Sequence, residues 1–171
     1  MTQQFYDLKP VTHITADAVG PPGQRIFYLQ ASRKDVLVTL LLEKEQVQAL
    51  ALGVEQMLQE LEKRRPQRAS ELELISQYDM VLQEPVEPAF RVGQLGLGYD
   101  EEADLIIIVA QELAEANDER SVARFWATRA QMQALSEHSL QVVQSGRPTC
   151  PLCGQPMDPE GHFCPRHNGH Q

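Results

Sequence analysis

The period of the apolar pattern changes from two residues to 3.6 at two places, and the order of elements around both changes is the same. Val36–Leu42 is nearly all apolar, as expected of a strand covered on both faces. From Glu43 onward Val47, Leu50, Ala51, Val54, Met57, Leu58 and Leu61 fall on one stripe, with Glu, Gln and Lys opposite. The pattern predicts a helix to about Arg64, weakened slightly by Gly53 and ended by Pro66. Ser121–Ala127 is again strand-like. Thr128 then opens a second helix, with Gln131 three residues on in a capping-box arrangement and Met132, Leu135, Leu140 and Val143 on its apolar side.

Strands precede both helices. Val11–Ala16 alternates with a period of two, Gly20-Pro-Pro-Gly23 breaks the chain, and Arg25–Ala31 follows. In the later half Phe90–Tyr99 and Leu105–Leu113 flank the acidic loop Asp100–Asp104. The expected fold is therefore α+β: two βββα halves, about 1–65 and 88–146, with antiparallel sheets, packed helices and a connector at 66–87. Together they would form a domain over 1–148, followed by a tail at 149–171. Gln46-Val-Gln-Ala-Leu50 matches Gln131-Met-Gln-Ala-Leu135 at the start of each helix, and Lys44 and Arg129 hold the same place before those glutamines. These matches point to an internal duplication.

The tail carries the specific chemistry. All three cysteines of the chain lie there, as do three of its five histidines. An odd cysteine count argues against a disulfide framework, so the thiols are expected to be available to a metal. Cys150-Pro-Leu-Cys153-Gly154 has the form of a zinc knuckle, Cys164 adds a third thiolate, and a closed Cys3His set is a structural zinc site without an open catalytic position. The fourth ligand is open between His162 and His167, since Cys164-Pro-Arg-His167 repeats the two-residue spacing and His162-Phe-Cys164 needs a local turn at Gly161.

Charge narrows the partners. The formal net charge is −9, which repels polyanions and disfavours a nucleic-acid role. The longest apolar run, Leu105–Ala110, is strand length and far short of the roughly 20 residues of a membrane span. The N-terminus has no signal-peptide pattern, so a cytoplasmic location is expected. Arg25, Arg91 and Arg124 each lie in an expected strand and are a candidate set for binding an anion. His13 has no nucleophile near it in sequence. Gly93, Gly96 and Gly98 sit within a strand before an acidic loop, which suits a bulge or close packing better than a phosphate loop. Two function classes follow: a zinc-binding adaptor or regulatory module with a protein partner, and an enzyme acting on a small anionic substrate in a cleft between the halves.

Four blocks carry a resemblance: Gly20-Pro-Pro-Gly-Gln-Arg-Ile-Phe-Tyr-Leu-Gln-Ala31, Leu42-Glu-Lys-Glu-Gln-Val47, Phe90-Arg-Val-Gly93 and the terminal cysteine motif. In this order they resemble a bacterial family of uncharacterised proteins, domain of unknown function 3090, over essentially the whole chain. The resemblance implies no activity. It does imply a terminal pattern Cys-x-x-Cys-x8-His-x-Cys, which here falls on Cys150, Cys153, His162 and Cys164 and ranks His162 ahead of His167.

Overall fold

The structure is a computed structural model that describes residues 3–21, 23–66, 78–115 and 119–145. Its strands are β1 (Phe5–Leu8), β2 (His13–Val19), β3 (Ile26–Arg33), β4 (Val36–Leu42), β5 (Pro88–Asp100), β6 (Leu105–Glu112) and β7 (Val122–Ala127). Helix α1 (Lys44–Arg64) follows β4, and α2 (Arg129–Ser145) follows β7. The fold is α+β, with one mixed sheet in the order β1-β7-β6-β5-β4-β3-β2.

The expected antiparallel sheets are corrected here. Pairing within each half is antiparallel, but β4 joins β5 in parallel, with Leu40 opposite Phe90, and β1 joins β7 in parallel, with Leu8 opposite Phe125. The expected first strand is also shifted. Val11 lies in a linker, and β1, which has no alternation long enough to signal a strand, precedes it.

β1 and β2 are consecutive in sequence yet stand at opposite ends of the sheet order. The linker between them touches both ends: the Val11 N–H donates to Trp126 O and the Thr12 N–H to Ser32 O, each at 2.8 Å. The sheet therefore curls until its edges meet, which removes much of the exposed-edge hazard of an open sheet. β5 does alone what β1 and β2 do together. Its first residues pair in parallel with β4, and the rest pair antiparallel with β6. The change comes at a bulge between Val92 and Gln94. A Cβ on Gly93 would stand 2.9 Å from Leu113 Cα, so the close approach there requires glycine.

Each helix starts with the same device. Gln46 accepts the Glu43 N–H at 2.8 Å and donates to Val92 O at 3.0 Å, at the bend of β5. Gln131 accepts the Thr128 N–H at 2.8 Å and donates to Val11 O at 3.1 Å, at the bend between β1 and β2. One side chain thus caps a helix and ties it to the sheet.

The helices cover one face of the sheet. Ala16, Leu29, Leu40, Ile108, Phe125, Val47, Val54, Met132 and Leu135 are fully or almost fully buried in one cluster, and each large aliphatic side chain buried this way contributes roughly 1.5–3 kcal/mol. Gly53 of α1 lets the helix approach β5: a Cβ there would stand 3.1 Å from Leu97 Cδ1. On the opposite, outer face, Thr15, Gln30 and Thr39 form a row across β2, β3 and β4 and are buried. The chain before β5 covers them. Thr15 Oγ1 donates to Met80 O at 2.7 Å, Gln30 Nε2 donates to Gln83 O at 2.9 Å and to Thr39 Oγ1 at 3.0 Å, and Gln30 Oε1 accepts the Gln83 N–H at 2.7 Å. The described end of the expected connector, residues 78–87, is thus also a cover for the first half.

Candidate anion pocket between the halves

A pocket of about 390 Å³ opens where β3, β4 and the start of α1 meet β5 and α2. Arg25, Lys44 and Arg91 line it, over an apolar floor that includes Phe27, Leu42 and Val143. Arg25 leads into β3. Its Nη1 donates to Val142 O at 2.8 Å, near the end of α2, and its guanidinium lies 5.7 Å from the centre of the Phe27 ring. Arg91 comes from β5 and pairs with Glu43 at 2.7 Å, both side chains being largely exposed, so the pair is worth little in stability. Lys44 is the first residue of α1, half-buried, and makes no hydrogen bond or ion pair among the described residues. The positive end of the α1 dipole adds to these charges. Three cations line the pocket against Glu43 and Glu45, although the chain as a whole is at −9.

Of the three arginines singled out in the sequence, the structure brings Arg25 and Arg91 together and leaves Arg124 elsewhere. Arg124 lies on the outer face of β7, 3.4 Å from Asp7, with its guanidinium 4.8 Å from the Phe5 ring centre and 5.8 Å from that of Trp126. Lys9 covers the same indole at 4.1 Å, and the Trp126 Nε1–H donates to Asp7 at 2.6 Å. Lys44 was singled out in the sequence only as the counterpart of Arg129. Strand registers, which no local pattern carries, are what bring it beside Arg25 and Arg91.

The matching place in the second half is closed. The β2–β3 hairpin ends with Val19 opposite Ile26, and the β5–β6 hairpin with Asp100 opposite Leu105, so Asp104 stands where Arg25 stands. Arg129 stands where Lys44 stands. It is 7% exposed, and its Nε donates to Asp104 at 3.0 Å. Tyr99 OH also donates to Asp104, at 2.5 Å. Burial and the adjoining Asp104 carboxylate raise the Tyr99 pKa above its usual value. Burial opposes the charge on Arg129, but Tyr99 and Asp104 outweigh it and hold the guanidinium pKa above its usual value.

Two histidines fall among the described residues. His13 lines a smaller cavity with Tyr78, Asp79 and Met80, and both its ring nitrogens are buried with no hydrogen-bond partner among those residues. His138 of α2 lies 3.2 Å from Asp17 of β2. No group of three or more His, Cys, Asp or Glu suited to a metal occurs among the described residues. The expected ligands Cys150, Cys153, His162, Cys164 and the alternative His167 lie outside them. No helix among the described residues is long and apolar enough to cross a membrane.

Fold and site together define an α+β protein with a curled mixed sheet, two covering helices and a cation-lined pocket between its halves. The chain belongs to the family described as "Protein of unknown function (DUF3090)", whose profile matches residues 6–164. No curated protein and no solved structure matches it.

Proposed function

We propose that this chain is a binding module that takes a small anion, a molecule carrying a phosphate or carboxylate group, in the pocket at the start of α1. One observation carries the reading: Arg25 and Lys44 occupy the places that Asp104 and Arg129 close with an ion pair in the other half, and an anion would supply the missing negative charge. The reading is of binding rather than catalysis because the lining is dominated by Arg25, Lys44 and Arg91, and the Glu43 carboxylate beside them is already paired with Arg91 at 2.7 Å. In the same reading the two halves descend from one duplicated βββα unit, which is supported by the matching registers and by the twin bonds of Gln46 and Gln131. Cys150, Cys153, His162 and Cys164 hold a structural zinc that orders the tail of this adaptor, with His167 the alternative fourth ligand, and the work is done inside the cell with a protein partner.

Equilibrium titration with inorganic phosphate tests the pocket. Binding should weaken by about tenfold, or 1.4 kcal/mol, in both Lys44→Ala and Arg91→Ala, and should be unchanged in Arg124→Ala. No binding, or an equal loss in Arg124→Ala, would remove the proposal. Metal analysis tests the tail separately: the purified chain should carry zinc, and Cys153→Ser should lose it. A metal-free chain would refute that part.

A further inference from the structure

The outer faces of the two half-sheets correspond row by row, but among the described residues only that of the first half has a chain segment laid over it. Thr15, Gln30 and Thr39 are paired across β2, β3 and β4, and Gly96, Val109 and Arg124 take the same places across β5, β6 and β7. The first row is at most 2% exposed because residues 79–85 lie over it. In the second row Gly96 is exposed and Val109 and Arg124 are half-exposed, and a Cβ added to Gly96 would meet nothing within 4 Å. The next row, Gly98, Ile107 and Trp126, is half-exposed as well. Ile107 and Val109 thus present an apolar strip on a sheet face, beside Trp126, whose indole Lys9 already covers, and such a strip is the kind of surface that a folded chain normally covers.

The chain itself indicates the cover. α1 ends beside the hairpin of the second half, where Arg65 Nη1 donates to Glu101 O at 2.8 Å. The next described stretch, residues 78–87, lies on the outer face of the first half. α2 ends beside the hairpin of the first half, where Arg25 donates to Val142 O at 2.8 Å. The chain that follows, residues 146–171, is of similar length to 66–87 and starts from the corresponding place. At about 3.3–3.6 Å per extended residue it has ample reach to cross three strands.

We propose that residues 146–171 lie across the outer face of β5, β6 and β7, over Gly96, Ile107 and Val109, as residues 79–85 lie across β2, β3 and β4. The flat glycine rows leave room for a polypeptide backbone, and the tail would screen Ile107 and Val109 from water. Its occupant is this chain's own tail, whatever ligand the basic pocket takes.

Photo-crosslinking of the full chain tests this. A benzophenone amino acid replacing Val109 should give an adduct of monomer mass whose crosslinked peptide maps within residues 146–171. The same group at Leu52, on the exposed side of α1, should give no tail adduct. A second placement at Gln94, exposed on the same sheet face, covers the case in which the Val109 variant fails to fold, and circular dichroism identifies the folded sample. Adducts to a second chain, no tail adduct from either folded variant, or equal tail capture from position 52 would each overturn the proposal.

Discussion

At the start of α1 two cations, Arg25 and Lys44, line an open pocket. At the start of α2 the residues in the same two places, Asp104 and Arg129, close on each other at 3.0 Å. One backbone arrangement thus carries two solutions. Where the charges are opposite the space fills and the helix start is locked to a hairpin. Where they are alike the space stays open, and the fold holds by other means. The halves differ again where the helices cross the sheet. His138 of α2 meets Asp17 of β2, whereas α1 meets β5 through Gly53, packed against Leu97. A polar contact in one half thus replaces a close backbone approach in the other.

The sharpest break of this comparison is at the paired position. Arg129→Ala removes the buried partner and its packing and should cost about 3 kcal/mol, whereas Lys44→Ala should stay within about 0.5 kcal/mol of the parent. Urea unfolding of both variants decides it, and equal costs would mean that the two helix starts are not loaded differently. The capping glutamines come next. Gln131, at 7% exposure, is more deeply buried than Gln46. Gln131→Ala should therefore cost about 2 kcal/mol and Gln46→Ala about 1 kcal/mol, and the reverse order would contradict the shared device. The smallest effect lies in the pH dependence. Partial burial pushes the Asp17 carboxyl up, but the His138 hydrogen bond, the Ala18 N–H and the nearby charges outweigh it, so its pKa lies below 3.8. A depressed carboxylate stabilises the fold above its unfolded value and loses that contribution as pH falls through the folded one. Asp17→Asn should therefore flatten the loss of stability below about pH 3.8, seen by thermal melts across the acid range. An unchanged acid limb would show that the pair is idle.

What the sequence disclosed was local. The stripe from Val47 to Leu61 and the Thr128–Gln131 capping box mark helices because their partners lie within a turn or two, and Phe125 and Trp126 divide between core and surface as strand alternation requires. Gly93, Gly96 and Gly98 read as a bulge or a close approach, and Gly93 falls at the register shift of β5. The parallel joins were not legible. Whether Leu40 faces Phe90 depends on a pairing across residues 43–87, and β1 is too short for its pattern to stand out. The arginine set shows the same limit: three strand arginines look equivalent in sequence, but register sends Arg25 and Arg91 to one pocket and Arg124 to the outer face. The cysteine motif is legible as spacing, and its positions fall outside the described residues.

The linker at residues 9–12 has a consequence for how the molecule is made. β1 emerges first from the ribosome, yet its partner β7 is among the last strands synthesised: Gln4 bonds Ser121, 117 positions away. Until that strand arrives β1 has no ladder to join, and the sheet has two open edges rather than one seam. Closure by such distant contacts is slow relative to local folding, and the half-made chain carries unpaired strands that can join a neighbour. Translation order thus puts the clasp after the synthesis of β7, and a nascent chain stalled before residue 122 would carry the first half with its edge still unprotected.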